Sequence, residues 1–184
     1  MRMFVAIDLE AGLKRSLEDL VRMLKRSGAD VRWTDARGMH LTLKFLGEVA
    51  PEAVPAVIEA LRAAVSEQAR FRLVLGRTGT FPEGRSPRVL WVGAAEDPSL
   101  MALQKAVESA LEAQGYPAEA RPFHPHLTLG RVKGQARVAD AVAELARHAG
   151  ETFGEMTAGK VTLFESVLKP QGAEYHVVAE FELR

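Results

Sequence analysis

The chain has 184 residues, 47% of them hydrophobic and 26% charged, which supports a sizeable core and excludes a disordered chain. Its 24 basic residues balance 24 acidic ones, which argues against coating duplex nucleic acid but permits a local anion pocket. With no cysteine, a disulfide, a thiolate nucleophile and a cysteine-based zinc site are excluded.

Periodicity predicts the elements in chain order. Residues 3–9 (MFVAIDL) form a buried strand, and residues 11–27 a helix with Leu13, Leu17, Leu20, Val21 and Leu24 on one face, closed by Gly28. Val31 and Trp33 mark a second strand and His40–Leu46 a third; Pro51 opens a helix over 52–68, and 71–76 is another strand. The Gly/Pro-rich stretch 76–87 is the most loop-like segment. The order then restarts: a strand over 88–93, a helix over 98–114 opened by Pro98 and stopped by Gly115, a short strand near 117–121 and a strand over His126–Val132. A helix over 137–148 and strands near 160–166 and 174–183 complete the chain. MRMFVAIDLE lacks the pattern of a signal peptide, and no segment approaches the ~20 apolar residues that span a bilayer, so the expectation is a cytoplasmic protein with no membrane partner.

The two halves share a period. From Phe4 to His40 is 36 positions, and from Leu90 to His126 is again 36, with His-Leu-Thr-Leu at the end of both intervals. The repeat predicts one domain over 1–184: a duplicated α/β (α+β) fold of two lobes related by a pseudo-twofold around a central cleft. Nothing in the sequence signals oligomerisation, and a monomer is expected.

On a strand, residues two apart share a face. His40 and Thr42 therefore point one way while Leu41 and Leu43 point the other, and His126 and Thr128 do the same against Leu127 and Leu129. Two imidazoles and two hydroxyls facing each other suit in-line displacement at phosphorus. One histidine serves as base on the attacking side and the other as acid on the leaving side. The threonine hydroxyls can donate to the non-bridging oxygens, and Arg131, five residues after His126, can supply charge. A lone His-x-Thr strand would be unremarkable; a pair at repeat-equivalent positions is not. A metal reading with His124, His126 and His40 as ligands lacks an acidic partner beyond Glu48. His148 and His176 look structural or exposed. Basic stretches at 70–91 and 121–137 are candidates to converge on an anion.

These motifs and their flanks resemble the two-histidine phosphoesterase superfamily, in particular the RNA 2′,3′-cyclic phosphodiesterases, also called 2′-5′ RNA ligases of the LigT type. The resemblance runs from Arg2-Met3-Phe4-Val5-Ala6-Ile7 through Trp33, His40–Gly47, Phe81-Pro82 and Pro87–Trp91 to Phe123–Arg131, Leu163–Ser166 and Tyr175. It implies a bilobal fold with a cleft lined by both motifs, and hydrolysis of an RNA-terminal 2′,3′-cyclic phosphate to a 2′-phosphomonoester without metal or other cofactor. It also implies His40 as general acid, His126 as general base, and Thr42, Thr128 and Arg131 as phosphate ligands. The implied partners are RNA ends bearing a cyclic phosphate, or nucleotides. Phe123 is the preferred base-stacking residue with Arg88 guiding RNA; Phe81 and Arg85 are further candidates, while Trp33 and Phe45 are expected to pack in the core. Three other readings stand beside this one: a reversible 2′-5′ ligase on RNA ends, a phosphodiesterase of small cyclic nucleotides, and a non-catalytic RNA- or nucleotide-binding module.

Overall fold

The computed structural model describes residues 1–170 and 172–184. Its elements in chain order are β1 (Arg2–Asp8), α1 (Ala11–Lys25), β2 (Val31–Trp33), β3 (His40–Glu48), α2 (Val54–Ser66), β4 (Phe71–Phe81) and β5 (Val89–Ala94). They continue with α3 (Pro98–Glu112), β6 (His126–Val132), α4 (Val138–Arg147), β7 (Thr152–Ala158), β8 (Lys160–Lys169) and β9 (Gly172–Glu182). The leucine and valine stripe expected of α1 is its buried face, and Leu100, Leu103, Val107 and Leu111 do the same for α3. Asp97 caps α3 by accepting from the backbone N–H groups of Ser99 and Leu100, and Pro98 occupies a first-turn position that needs no donor.

The strands form two antiparallel sheets, one ordered β3-β1-β8-β9 and the other β2-β6-β5-β4-β7. The duplication is visible in them: β1–α1–β3 and β5–α3–β6 repeat the same order, and each motif strand pairs antiparallel with the strand that opens its half. The halves are not separate lobes, however. The first-half strands β2 and β4 belong to the sheet that holds β5 and β6, while β8 and β9 from the end of the chain complete the sheet that holds β1 and β3. The helices cross as well: α1 lies against α4 and β7, whereas α2 and α3 pack together and against β9 and β3. Exchange of this kind lets one continuous core of leucine, valine and isoleucine run beneath both sheets.

Three expectations need correction. No strand forms near 117–121; this segment is loop, with Pro117 and Pro122 unable to donate to a ladder and the backbone of Glu119 bonded to the Glu108 side chain instead. The segment 76–81 is not loop but the second half of β4, which continues through a bulge at Arg77 in the left-handed conformation (φ 63°). β7 (TFGEMTA) was not foreseen because it lacks alternation; its Gly154 (φ 135°) accepts the side chain of Leu13, which a Cβ there would meet at 2.5 Å.

Candidate active site

Both motif strands carry the same irregularity. In β3, Lys44 pairs with Val5 and Thr42 with Ala6, so Leu43 is an extra residue. In β6, Gly130 pairs with Leu90 and Thr128 with Trp91, so Leu129 is extra. A bulge shifts the side-chain alternation by one. Beyond it, Phe45 returns to the face of His40 and Thr42, and Arg131 returns to the face of His126 and Thr128. The odd spacing from His126 to Arg131, which would separate them on a regular strand, thereby becomes productive. Ring contacts bear this out on the first strand, where Phe4 stacks on His40 at 4.6 Å and meets Phe45 at 5.9 Å.

The motif strands approach each other where the sheets adjoin. β3 is the edge of its sheet, and β2 covers only the Gly130–Val132 end of β6, leaving the His126 end open. β3 and β6 have Cα atoms within 8 Å of each other. His40, Thr42, His126 and Thr128 are all half-buried.

The two imidazoles sit in different surroundings. His40 lies in an aromatic box: it stacks on Phe4, lies 5.7 Å from Phe164, and meets the edge of Tyr175 at 5.1 Å. Burial pushes its imidazole down to about 4, with the Asp8 carboxylate pulling the other way. His126 is oriented by its own backbone: Nδ1 donates to the carbonyl of His124 at 2.7 Å. A carbonyl can only accept, so this bond keeps the hydrogen on Nδ1 and leaves a lone pair on Nε2. Burial lowers His126 too, and the positive charge of Arg131 adds to that effect. Phe81 packs edge-on against both His126 (5.0 Å) and His124 (5.1 Å). Beneath them lies Trp91, whose indole occupies the space a side chain at Gly79 would need; a Cβ there would collide with its Cζ2.

Several other sequence expectations change. Phe123 is partly buried and packs against the core, whereas Phe45, expected in the core, is exposed beside His40. Trp33 packs against the core as expected. Of the basic stretches, Arg70 pairs with Glu182 and Arg72 with Glu155, so they do not converge on the cleft; Arg85 and Arg88 are exposed. His148 is structural, one of the two alternatives expected of it: it is half-buried and closes α4, bonded to Glu151 and close to Glu144. The aromatic box is the feature missed from the residues alone: Phe4, Phe164 and Tyr175 come from three strands, and only their register brings them together.

The chain is similar to known proteins along its length. Residues 13–169 match the model of the 2′-5′ RNA ligase superfamily. The chain is 34% identical over 184 residues to the RNA 2′,3′-cyclic phosphodiesterase of Archaeoglobus fulgidus, covering 99% of this chain and 100% of that protein. The crystal structure of TT0787 from Thermus thermophilus superposes with a TM-score of 0.85 at 30% identity, covering 100% of this chain and 98% of that one. E. coli LigT complexed with 3′-AMP gives a TM-score of 0.79 at 27% identity, covering 99% and 97%. Matched over most of its length by the family model, and end to end by a relative 34% identical, the chain belongs to the 2′-5′ RNA ligase superfamily.

Proposed function

We propose that this chain opens the 2′,3′-cyclic phosphate at an RNA end to a 2′-phosphomonoester by acid–base chemistry at His126 and His40. The observation that carries the reading is the pair of repeat-equivalent, identically bulged strands, each with one imidazole and one hydroxyl on the same face, in strands that come within 8 Å of each other. Curated relatives about as similar as the Archaeoglobus protein bear the same activity in their names.

His126 is the base. Its Nε2 lone pair takes a proton from water as the water oxygen bonds to phosphorus. The P–O3′ bond breaks on the opposite side, and O3′ takes a proton from His40. Thr42, Thr128 and Arg131 hold the non-bridging oxygens, where negative charge gathers. His40, neutral in the free enzyme, must first gain a proton, and an anionic phosphate arriving in its apolar box favours that. The test is an RNA oligomer ending in a 2′,3′-cyclic phosphate, incubated with the enzyme in EDTA. Conversion to a 2′-phosphate end is expected; loss of turnover in EDTA, or a 3′-phosphate product, contradicts the reading.

Two further results are expected. Since kcat/KM reports the free enzyme and both imidazoles are lowered there, its bell-shaped pH profile is centred between about 4 and the ordinary histidine value. The kcat profile is displaced to higher pH, because bound phosphate raises both groups. Coincident profiles centred above neutrality count against it. Arg131→Ala removes charge-assisted bonds worth about 1.5–3 kcal/mol, so kcat/KM falls roughly 10- to 150-fold; an unchanged rate removes Arg131 from the site.

A further inference from the structure

The cleft face of the four-stranded sheet carries more apolar surface than the chemistry at His40 requires. Register aligns Phe45, Phe4, Phe164 and Val177 in one row across all four strands. Directly paired residues share a face, so the row lies on the side of His40. Its middle is covered, with Phe4 3% and Phe164 6% exposed, while its ends are open, with Phe45 68% and Val177 59% exposed. Two further residues on the same face continue it toward the tip of the β8–β9 hairpin. Tyr175, opposite Ser166, is 36% exposed, and Leu168, opposite Ala173, is 70% exposed. Four of the five exposed large hydrophobic residues among those described therefore lie on this one face. A monomeric protein normally scatters such residues.

We infer that this face is a platform for the unpaired bases of the RNA on the 5′ side of the cyclic phosphate. The inference rests on the acid role of His40. The oxygen that His40 protonates is O3′, which stays on the terminal ribose together with O2′. That ribose, and every nucleotide 5′ of it, therefore leaves the reaction centre on the His40 side. Tyr175, a wall of the His40 box at 5.1 Å, is also the first open residue of the platform. From Phe164 to Leu168 the strand advances ~13 Å, room for more than one base. Apolar and aromatic side chains on a sheet receive bases by their π-faces without reading their edges. The platform thus gives a preference for single-stranded RNA over a lone nucleotide, with little preference for sequence.

The test compares two substrates: a mononucleoside 2′,3′-cyclic phosphate and a five-nucleotide single-stranded RNA with the same end. The wild-type protein turns over the oligomer with the higher kcat/KM, and pairing the upstream bases with a complementary strand removes that advantage. The double variant Leu168→Ser, Val177→Ser alters only exposed side chains. It is expected to lower kcat/KM for the oligomer about tenfold, through KM, while the mononucleotide changes less than twofold. Equal rates on both substrates in the wild type, or equal losses on both in the variant, overturn the platform. So does a wild-type dimer in solution that the variant converts to monomer, since a second copy would then cover the face. Turnover of neither substrate by the wild type is a different result, which defeats the hydrolytic reading itself.

Discussion

Alanine at position 126 is expected to lower kcat by about 10²–10⁴ while leaving the thermal transition close to that of the wild type. The half-buried ring makes one hydrogen bond, to a carbonyl two residues away, and its aromatic neighbours Phe81 and Trp91 meet it edge-on, so its loss removes only part of their packing. It removes the only group in the second motif with a lone pair suited to accept the proton of water at neutral pH. Alanine at position 40 is expected to cost a similar factor for a different reason: O3′ would leave as an alkoxide. The two variants separate when the leaving group improves. A phosphodiester with a nitrophenolate leaving group needs no acid, so His40→Ala regains much of its activity on it and His126→Ala does not. Rescue in the reverse order would exchange the roles of the two histidines, and full activity of either variant on the cyclic phosphate would remove that residue from the chemistry.

The two histidines proposed for the chemistry stand out in the sequence because duplication repeats a tetrapeptide, and a repeat at one offset is a signal that no single His-x-Thr strand provides. The helices were legible from their three- and four-residue leucine spacing. What could not be read from period alone is where the period breaks. The bulges at Leu43 and Leu129 leave no mark in composition, yet they set the direction in which Phe45 and Arg131 point. Phe45 looks like a core residue on a regular strand next to Leu43 and Leu46, and only the register error puts it in the open. Phe123 shows the opposite effect: it adjoins the motif and sits in a basic stretch, and the loop before β6 packs it partly against the core. The exchange of strands between sheets is equally silent in sequence, because β2, β4, β8 and β9 bury the same kinds of side chain whichever sheet they join.

Lys44 is the residue whose burial the sequence hid most completely, and replacing it is expected to have the largest effect on stability. The bulge at Leu43 turns its side chain inward, where Nζ forms an ion pair with Glu108 of α3 and donates to the carbonyl of Pro117 at 2.7 Å. Glu108 also accepts from Gln104 at 3.0 Å and from the backbone of Glu119 at 3.0 Å. One carboxylate thus ties the strand bearing His40 to the loop that leads into His126. Lys44→Met leaves Glu108 without its cation and Pro117 without its donor, a loss of about 3–5 kcal/mol. For a chain of this size that lowers Tm by ~6–20 °C. Removing the charge from both sides, as in Lys44→Met with Glu108→Leu, is expected to recover much of the loss, since the pair's desolvation penalty disappears with it. The recovered protein should still hydrolyse the cyclic phosphate more slowly than wild type, because Glu119 and the loop before His126 have lost their acceptor. If the single variant unfolds at the wild-type urea midpoint, the pair is not a structural tie. If the double variant regains stability and full kcat together, the tie has no part in placing the second histidine.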